Sequence, residues 1–125
     1  MAAVERMQYG KPFRRFLKLA AEAKSRIRQV TPVEAEHMVG QGALLLDVRE
    51  KDEFERGHLD GATHLSRGIL EMHIGELAAD KAAPIVCYCG GGNRGALAVE
   101  SLQRMGYTQA VSIEGGLAAC NTQKD

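Results

Sequence analysis

The apolar run Pro84-Ile85-Val86-Cys87-Tyr88-Cys89 passes without a spacer into Gly90-Gly91-Gly92-Asn93, and Arg94 then opens a helix-patterned segment over 94–105. Strand, glycine loop and helix start in immediate succession leave few folds open, because they make one unit of a layered α/β structure. Glycine permits backbone angles that other residues avoid, so successive N–H groups of the loop can turn toward one point. The helix start adds its partial positive end. A thiol at Cys89 is expected to ionise more readily there than free cysteine. The sequence therefore marks out a cradle for a reactive thiolate and for the anion that it attacks.

The rest of the chain supplies the other parts of such a fold. Ala43-Leu44-Leu45-Leu46-Asp47-Val48 is a short continuous apolar run, the pattern of a strand covered on both faces. Residues 109–113 form another such run and 62–65 a shorter one. Helix patterns lie between them. Thr31-Pro32-Val33-Glu34 reads as a capping box with proline at the first helical position, opening a helix to about residue 39. An acidic helix over 52–56 stops at Gly57, and Ser66 is the candidate cap of a helix over about 68–77. The 94–105 helix ends at Gly106, and Gly115-Gly116 begins a short terminal one. Buried strands alternating with helices predict an α/β fold with a central parallel sheet flanked by helices. Ligands of such sheets bind beyond the carboxyl ends of the strands, where Asp47, Arg49 and Cys89 stand.

A chain of 125 residues is long enough for one core. No apolar stretch approaches the roughly 20 residues that span a bilayer, and residues 13–21 are interrupted by Arg14, Arg15 and Lys18, unlike a signal-peptide core. Three cysteines, with Cys87 and Cys89 two apart in one strand, argue against a disulfide scaffold and for a reducing cytoplasm. The net charge of zero hides an asymmetry: residues 1–30 hold eight Lys and Arg against two acids, and the remainder holds eight against fourteen. Phe13, Phe16, Leu17, Ala20, Ala21, Ala23 and Ile27 recur at helical spacing within the basic part. The reading is a basic amphipathic helical extension over 1–27 and a domain over 28–125. The extension is either a solvated helix against the acidic body or a docking element for an acidic partner protein, an anionic lipid or nucleic acid. Nucleic acid is the weakest of these, since Phe13 and Phe16 read as core contacts rather than a stacking platform.

Several motifs now stand in register: Leu46-Asp47-Val48-Arg49-Glu50, Glu53-Phe54, Gly57-His58-Leu59-Asp60-Gly61-Ala62, Tyr88-Cys89-x-x-Gly92-x-Arg94, Leu102 with Gly106-Tyr107, and Glu114-Gly115-Gly116-Leu117. Over roughly residues 28–120 the chain resembles the rhodanese family of sulfurtransferases. The resemblance implies a single-domain rhodanese fold and a thiosulfate sulfurtransferase in which Cys89 carries a persulfide. Sulfur would pass from a donor such as thiosulfate to cyanide or a thiol, with no metal and no cofactor. Gly90, Gly91, Gly92 and Asn93 would form the substrate-binding loop. Family analogy and the planar fork of a guanidinium both tie Arg94 to a carboxylate; Asp47 is the expected partner, with Arg49 in the same network.

Four residues separate Cys89 from Arg94, whereas related phosphatases place five there. The shorter ring suits a single sulfur atom better than a phosphate. A phosphatase or arsenate-reductase-like enzyme would need the longer loop or further reactive cysteines. An idle interaction module would lack the cysteine or the arginine, and this chain has both. A persulfide carrier in sulfur trafficking stays open beside the enzyme. Two departures stand out: Gly90 and Gly91 leave the loop rim bare where larger residues are common, and Cys120 replaces an expected tryptophan, which loosens the packing expected of the terminal helix.

Ionisation alone explains little. Free cysteine, with a pKa of about 8.5, is roughly 3% thiolate at pH 7, and a drop of about two units raises this some 25-fold. The weaker nucleophilicity of such a thiolate takes back roughly 6- to 10-fold, leaving about threefold. The remaining side chains read as structural: Cys87 as a small buried residue, Cys120 as packing, His58 as part of its turn, and His37, His64 and His73 as residues without metal-ligand spacing.

Overall fold

The computed structural model of the protein describes residues 10–122. Residues 1–9, with Glu5 and Arg6 of the basic segment, and residues 123–125 lie outside the described residues. Five parallel strands, β1 (Arg28–Val30), β2 (Leu44–Asp47), β3 (Thr63–His64), β4 (Ile85–Tyr88) and β5 (Ala110–Ile113), pair in the order β1-β5-β4-β2-β3. The helices are α1 (Arg14–Arg26), α2 (Pro32–Gly40), α3 (Lys51–Arg56), α4 (Leu70–Leu77), α5 (Asn93–Arg104) and α6 (Gly116–Thr122). The central parallel sheet flanked by helices follows the sequence reading.

Strand parity sorts the core into two layers. Ile85, Cys87 and Cys89 face one side with Leu46 and Val48, where Leu70 and Ile74 of α4 and Ala98, Val99 and Leu102 of α5 cover them. Val86 and Tyr88 face the other side with Leu45, Val111 and Ile113, beneath Ala35 of α2 and Cys120 of α6. Every residue of β4 and β5 is buried, which is why these runs read as continuous apolar stretches rather than alternating ones.

The Thr31–Glu34 capping box forms as the sequence indicates: Thr31 Oγ1 accepts from the Glu34 amide at 3.1 Å and Glu34 Oε1 from the Thr31 amide at 3.0 Å. One strand was missed and two local expectations need correction. Strand β1 was not legible, because a three-residue edge strand directly after a helix leaves no pattern. Ser66 makes no side-chain cap; a single 3-10 turn over Arg67–Ile69 leads into α4 instead. Phe13 is not a core contact. It lies before the first helical residue in extended conformation, outside the helical period, and is 71% exposed. Helix α1 docks on α5 through buried Ala20 and Ala23, while Phe16 is half-buried and Leu17 exposed.

Candidate active site

Cys89 follows the last residue of β4, the central strand, so its side chain continues the face of Cys87. Its Sγ accepts hydrogen bonds from the amides of Gly92 at 3.1 Å and Gly95 at 3.2 Å. Gly92 and Gly95 lie at the loop-to-helix junction, so the sulfur sits at the positive end of α5.

The loop takes this shape because α6 grips it from behind. The Leu117 amide donates to the Cys89 carbonyl at 2.8 Å and the Ala118 amide to the Gly90 carbonyl at 3.1 Å. A trans peptide points its N–H opposite to its C=O, so the Gly90 and Gly91 amides face away from α6. Gly92 adopts φ +106°, and a Cβ there would lie 3.2 Å from the Gly115 amide nitrogen. Gly90 and Gly91 have room for a side chain, so a bare rim is a choice of this chain rather than a backbone demand.

The sulfur is not open to solvent. Cys89 is 0% exposed, on the floor of the loop rather than at its mouth. Cys87, one repeat deeper, is buried as well, and burial pushes its thiol up to about 12, with Cys89 adding to the rise. Its place in the core agrees with the reading of Cys87 as a small buried residue.

Arg94 does meet a carboxylate, but not the one expected. Its Nη1 donates to Glu53 Oε1 at 2.6 Å and its Nη2 to Glu53 Oε2 at 3.0 Å. These bonds raise the Arg94 pKa above its ordinary value, against desolvation, and they hold the Glu53 carboxyl below its own. Asp47 is barred by strand parity. It pairs in register with Tyr88, so its side chain belongs to the face opposite Cys89. Asp47 is instead engaged by Arg49: Oδ2 accepts from Nη2 at 2.6 Å and Oδ1 from Nε and the Arg49 amide, both at 3.0 Å. Arg49 also donates to the Gly57 carbonyl at 2.7 Å, which ties the end of α3 to the sheet. The Asp47–Arg49 pair thus tethers the C-terminal end of α3, while Glu53 in its first turn is held by the Glu50 amide at 3.1 Å and by Arg94.

Asn93 is half-buried and its Oδ1 accepts from Lys24 Nζ of α1 at 2.8 Å. Neither Lys24 nor Glu53 was assigned a role from sequence. Glu53 lies in a quoted motif, but a bond spanning 41 residues leaves no local signal. His58 lies stacked on Phe54 at 3.8 Å with Nδ1 donating to the Phe54 carbonyl at 3.0 Å, and His64 contacts the Arg49 carbonyl through Nε2 at 2.8 Å. Cys120 is buried and borders a cavity of about 290 Å³ with Val33, Ala35, Val39 and Leu45. Among the described residues no group of three His, Cys, Asp or Glu stands together to hold a metal, and no helix is long and apolar enough to cross a membrane.

The family model for the rhodanese-like domain matches residues 31–123. The chain belongs to the rhodanese-like domain family. Among curated rhodanese relatives, the thiosulfate sulfurtransferase GlpE of Pseudomonas syringae pv. syringae is 32% identical over 95 residues, 76% of this chain and 88% of its own. The GlpE of Ectopseudomonas mendocina is 30% identical over 92 residues, covering 74% and 83%. A solved protein of unknown function from Rhodopseudomonas palustris, described as a possible tyrosine phosphatase, superposes with a TM-score of 0.78 at 28% identity over 98% of this chain and 97% of its own. The polysulfide-sulfur transferase homodimer of Wolinella succinogenes superposes at 0.73 with 26% identity, covering 88% and 84%. The rhodanese match begins at residue 31, so α1 with Lys24 lies outside it.

Proposed function

We propose that this rhodanese is a sulfurtransferase that moves a sulfane sulfur from a donor such as thiosulfate to cyanide or a thiol through a persulfide on Cys89. The observation that carries the reading is the pair of amides, Gly92 and Gly95, converging on Cys89 Sγ at the start of α5. In the first half-reaction the Cys89 thiolate attacks the outer sulfur of thiosulfate. The new S–S bond forms as the old one breaks, and sulfite leaves with the bonding pair. In the second, cyanide takes the outer sulfur as thiocyanate and the electron pair returns to Cys89.

The loop is the source of rate, since one oriented donor at a developing anion is worth on the order of 100-fold. The Asn93 and Arg94 amides open α5, where a helix offers them no acceptor of its own. They are the donors for charge moving onto the outer sulfur. Glu53 holds the Arg94 side chain beside them. No cofactor takes part in this scheme. The reduced thiols of Cys87 and Cys89 support a reducing, cytoplasmic setting, and exposed Lys11, Arg14, Arg15 and Lys18 support a docking face for an acidic partner protein.

The test is a thiocyanate assay with thiosulfate and cyanide, run beside p-nitrophenyl phosphate hydrolysis. Thiocyanate release that vanishes in Cys89→Ser, with no phosphatase turnover, is expected. Phosphatase turnover without thiocyanate would overturn the reading in favour of phosphoryl transfer.

A further inference from the structure

The cations of the site differ in what neutralises them. Arg94 is locked to Glu53 and Arg49 to Asp47, so each brings no net charge to an incoming anion. Lys24 is different. Its ammonium touches the loop at Asn93 Oδ1, a neutral amide, and no carboxylate pairs with it among the described residues. The geometry points to Lys24 as a specificity-determining residue, contributed by the N-terminal helix, that orients Asn93 and supplies the unneutralised positive charge for a dianionic sulfur donor.

An ammonium only donates, so the Asn93 amide must turn its oxygen to Lys24 and its NH2 group away. That leaves two oriented donors with no other hydrogen bond among the described residues, on a residue of the loop itself. Thiosulfate arrives with two negative charges and sulfite leaves with two. A half-buried ammonium beside the loop favours both, because burial weakens the solvent screening that an exposed lysine would suffer.

Lys24 stands seven residues before the start of the family match, so this is an addition by α1 to the rhodanese loop. A clamp between helices could also explain the contact, since Arg26 bonds Glu100 of α5 at 3.0 Å close by. The two roles separate by donor charge. The inference rests on the sulfurtransferase reading, and the experiment keeps the two apart.

Thiosulfate, a dianion, and methanethiosulfonate, a monoanion with the same transferable sulfur, are compared as donors, with melting temperature as a check on folding. Lys24→Met and Lys24→Gln are expected to raise KM for thiosulfate about tenfold, the worth of one charged hydrogen bond, and KM for methanethiosulfonate clearly less. Lys24→Arg is expected to restore thiosulfate KM to within about threefold of wild type. Lys24→Gln keeps an amide donor for Asn93 and removes only charge, so it answers the question even if the methionine variant folds poorly. Unchanged thiosulfate KM, or equal changes for both donors, overturns the role of Lys24 and leaves the sulfurtransferase intact. A wild-type protein that takes sulfur from neither donor overturns both.

Discussion

Arg94 and Glu53, 41 residues apart in the chain, meet in a two-point salt bridge with N–O distances of 2.6 and 3.0 Å. The bridge joins the first turn of α5 to α3 and so holds one side of the Cys89 loop from outside. Lysine at 94 keeps the charge and loses the fork. Arg94→Lys and Glu53→Gln are each expected to slow sulfur transfer by roughly 10- to 100-fold, the range of a charged hydrogen bond, with the cysteine still present. Steady-state thiocyanate release measures it, and wild-type turnover in Arg94→Lys would show that the brace is dispensable.

The same bridge sets an acid limit. Glu53 is held below its ordinary value, first by the Arg94 hydrogen bonds, with burial opposing. A carboxyl lowered on folding contributes stability that is present above its unfolded value, about 4.3, and is lost as pH falls through the lower folded value. Urea unfolding should therefore give a wild-type advantage over Glu53→Gln that is flat from pH 7 to 5 and shrinks below about 4.5. An advantage that grows on acidification contradicts this assignment.

Asp47 and Arg49 are expected to matter for stability rather than chemistry. Asp47 is 0% exposed and Arg49 6%, and removing one partner strands the other. Arg49→Met should cost on the order of 3 kcal/mol in chemical denaturation. Sulfur transfer by the folded fraction should stay within a few-fold of wild type. Full stability with lost activity would place the pair in the chemistry instead.

Much of this was legible in the sequence. The strands β2, β4 and β5 announced themselves because both faces are covered and nearly every residue is apolar. The Cys89 loop was legible because it joins one such strand directly to a helix. The partner of Arg94 was not. Asp47 stands at a strand end near the loop, but parity decides: it aligns with Tyr88, one residue before Cys89, and one residue reverses the face. Glu53 and Lys24 come from elements whose placement depends on the assembled sheet, and no local pattern encodes that placement.

The cysteines should differ in reactivity. Cys87 is fully buried with its thiol raised to about 12, so it should resist alkylation until the protein unfolds. Cys89 is covered by its loop, so reaction there depends on opening and on reagent size. Peptide mapping of the native protein is expected to find iodoacetamide on Cys89 well before a bulky fluorescein maleimide, and neither on Cys87. Rapid labelling of Cys87 in folded protein would contradict the described packing.

Intact-mass measurement after exposure to thiosulfate, followed by peptide mapping, addresses the central claim most directly. A gain of one sulfur, about 32 Da, is expected on the peptide that contains Cys89. Addition of cyanide should remove it, and Cys89→Ser should never acquire it. A protein that gains no mass, or gains it equally in Cys89→Ser, contradicts the persulfide on Cys89.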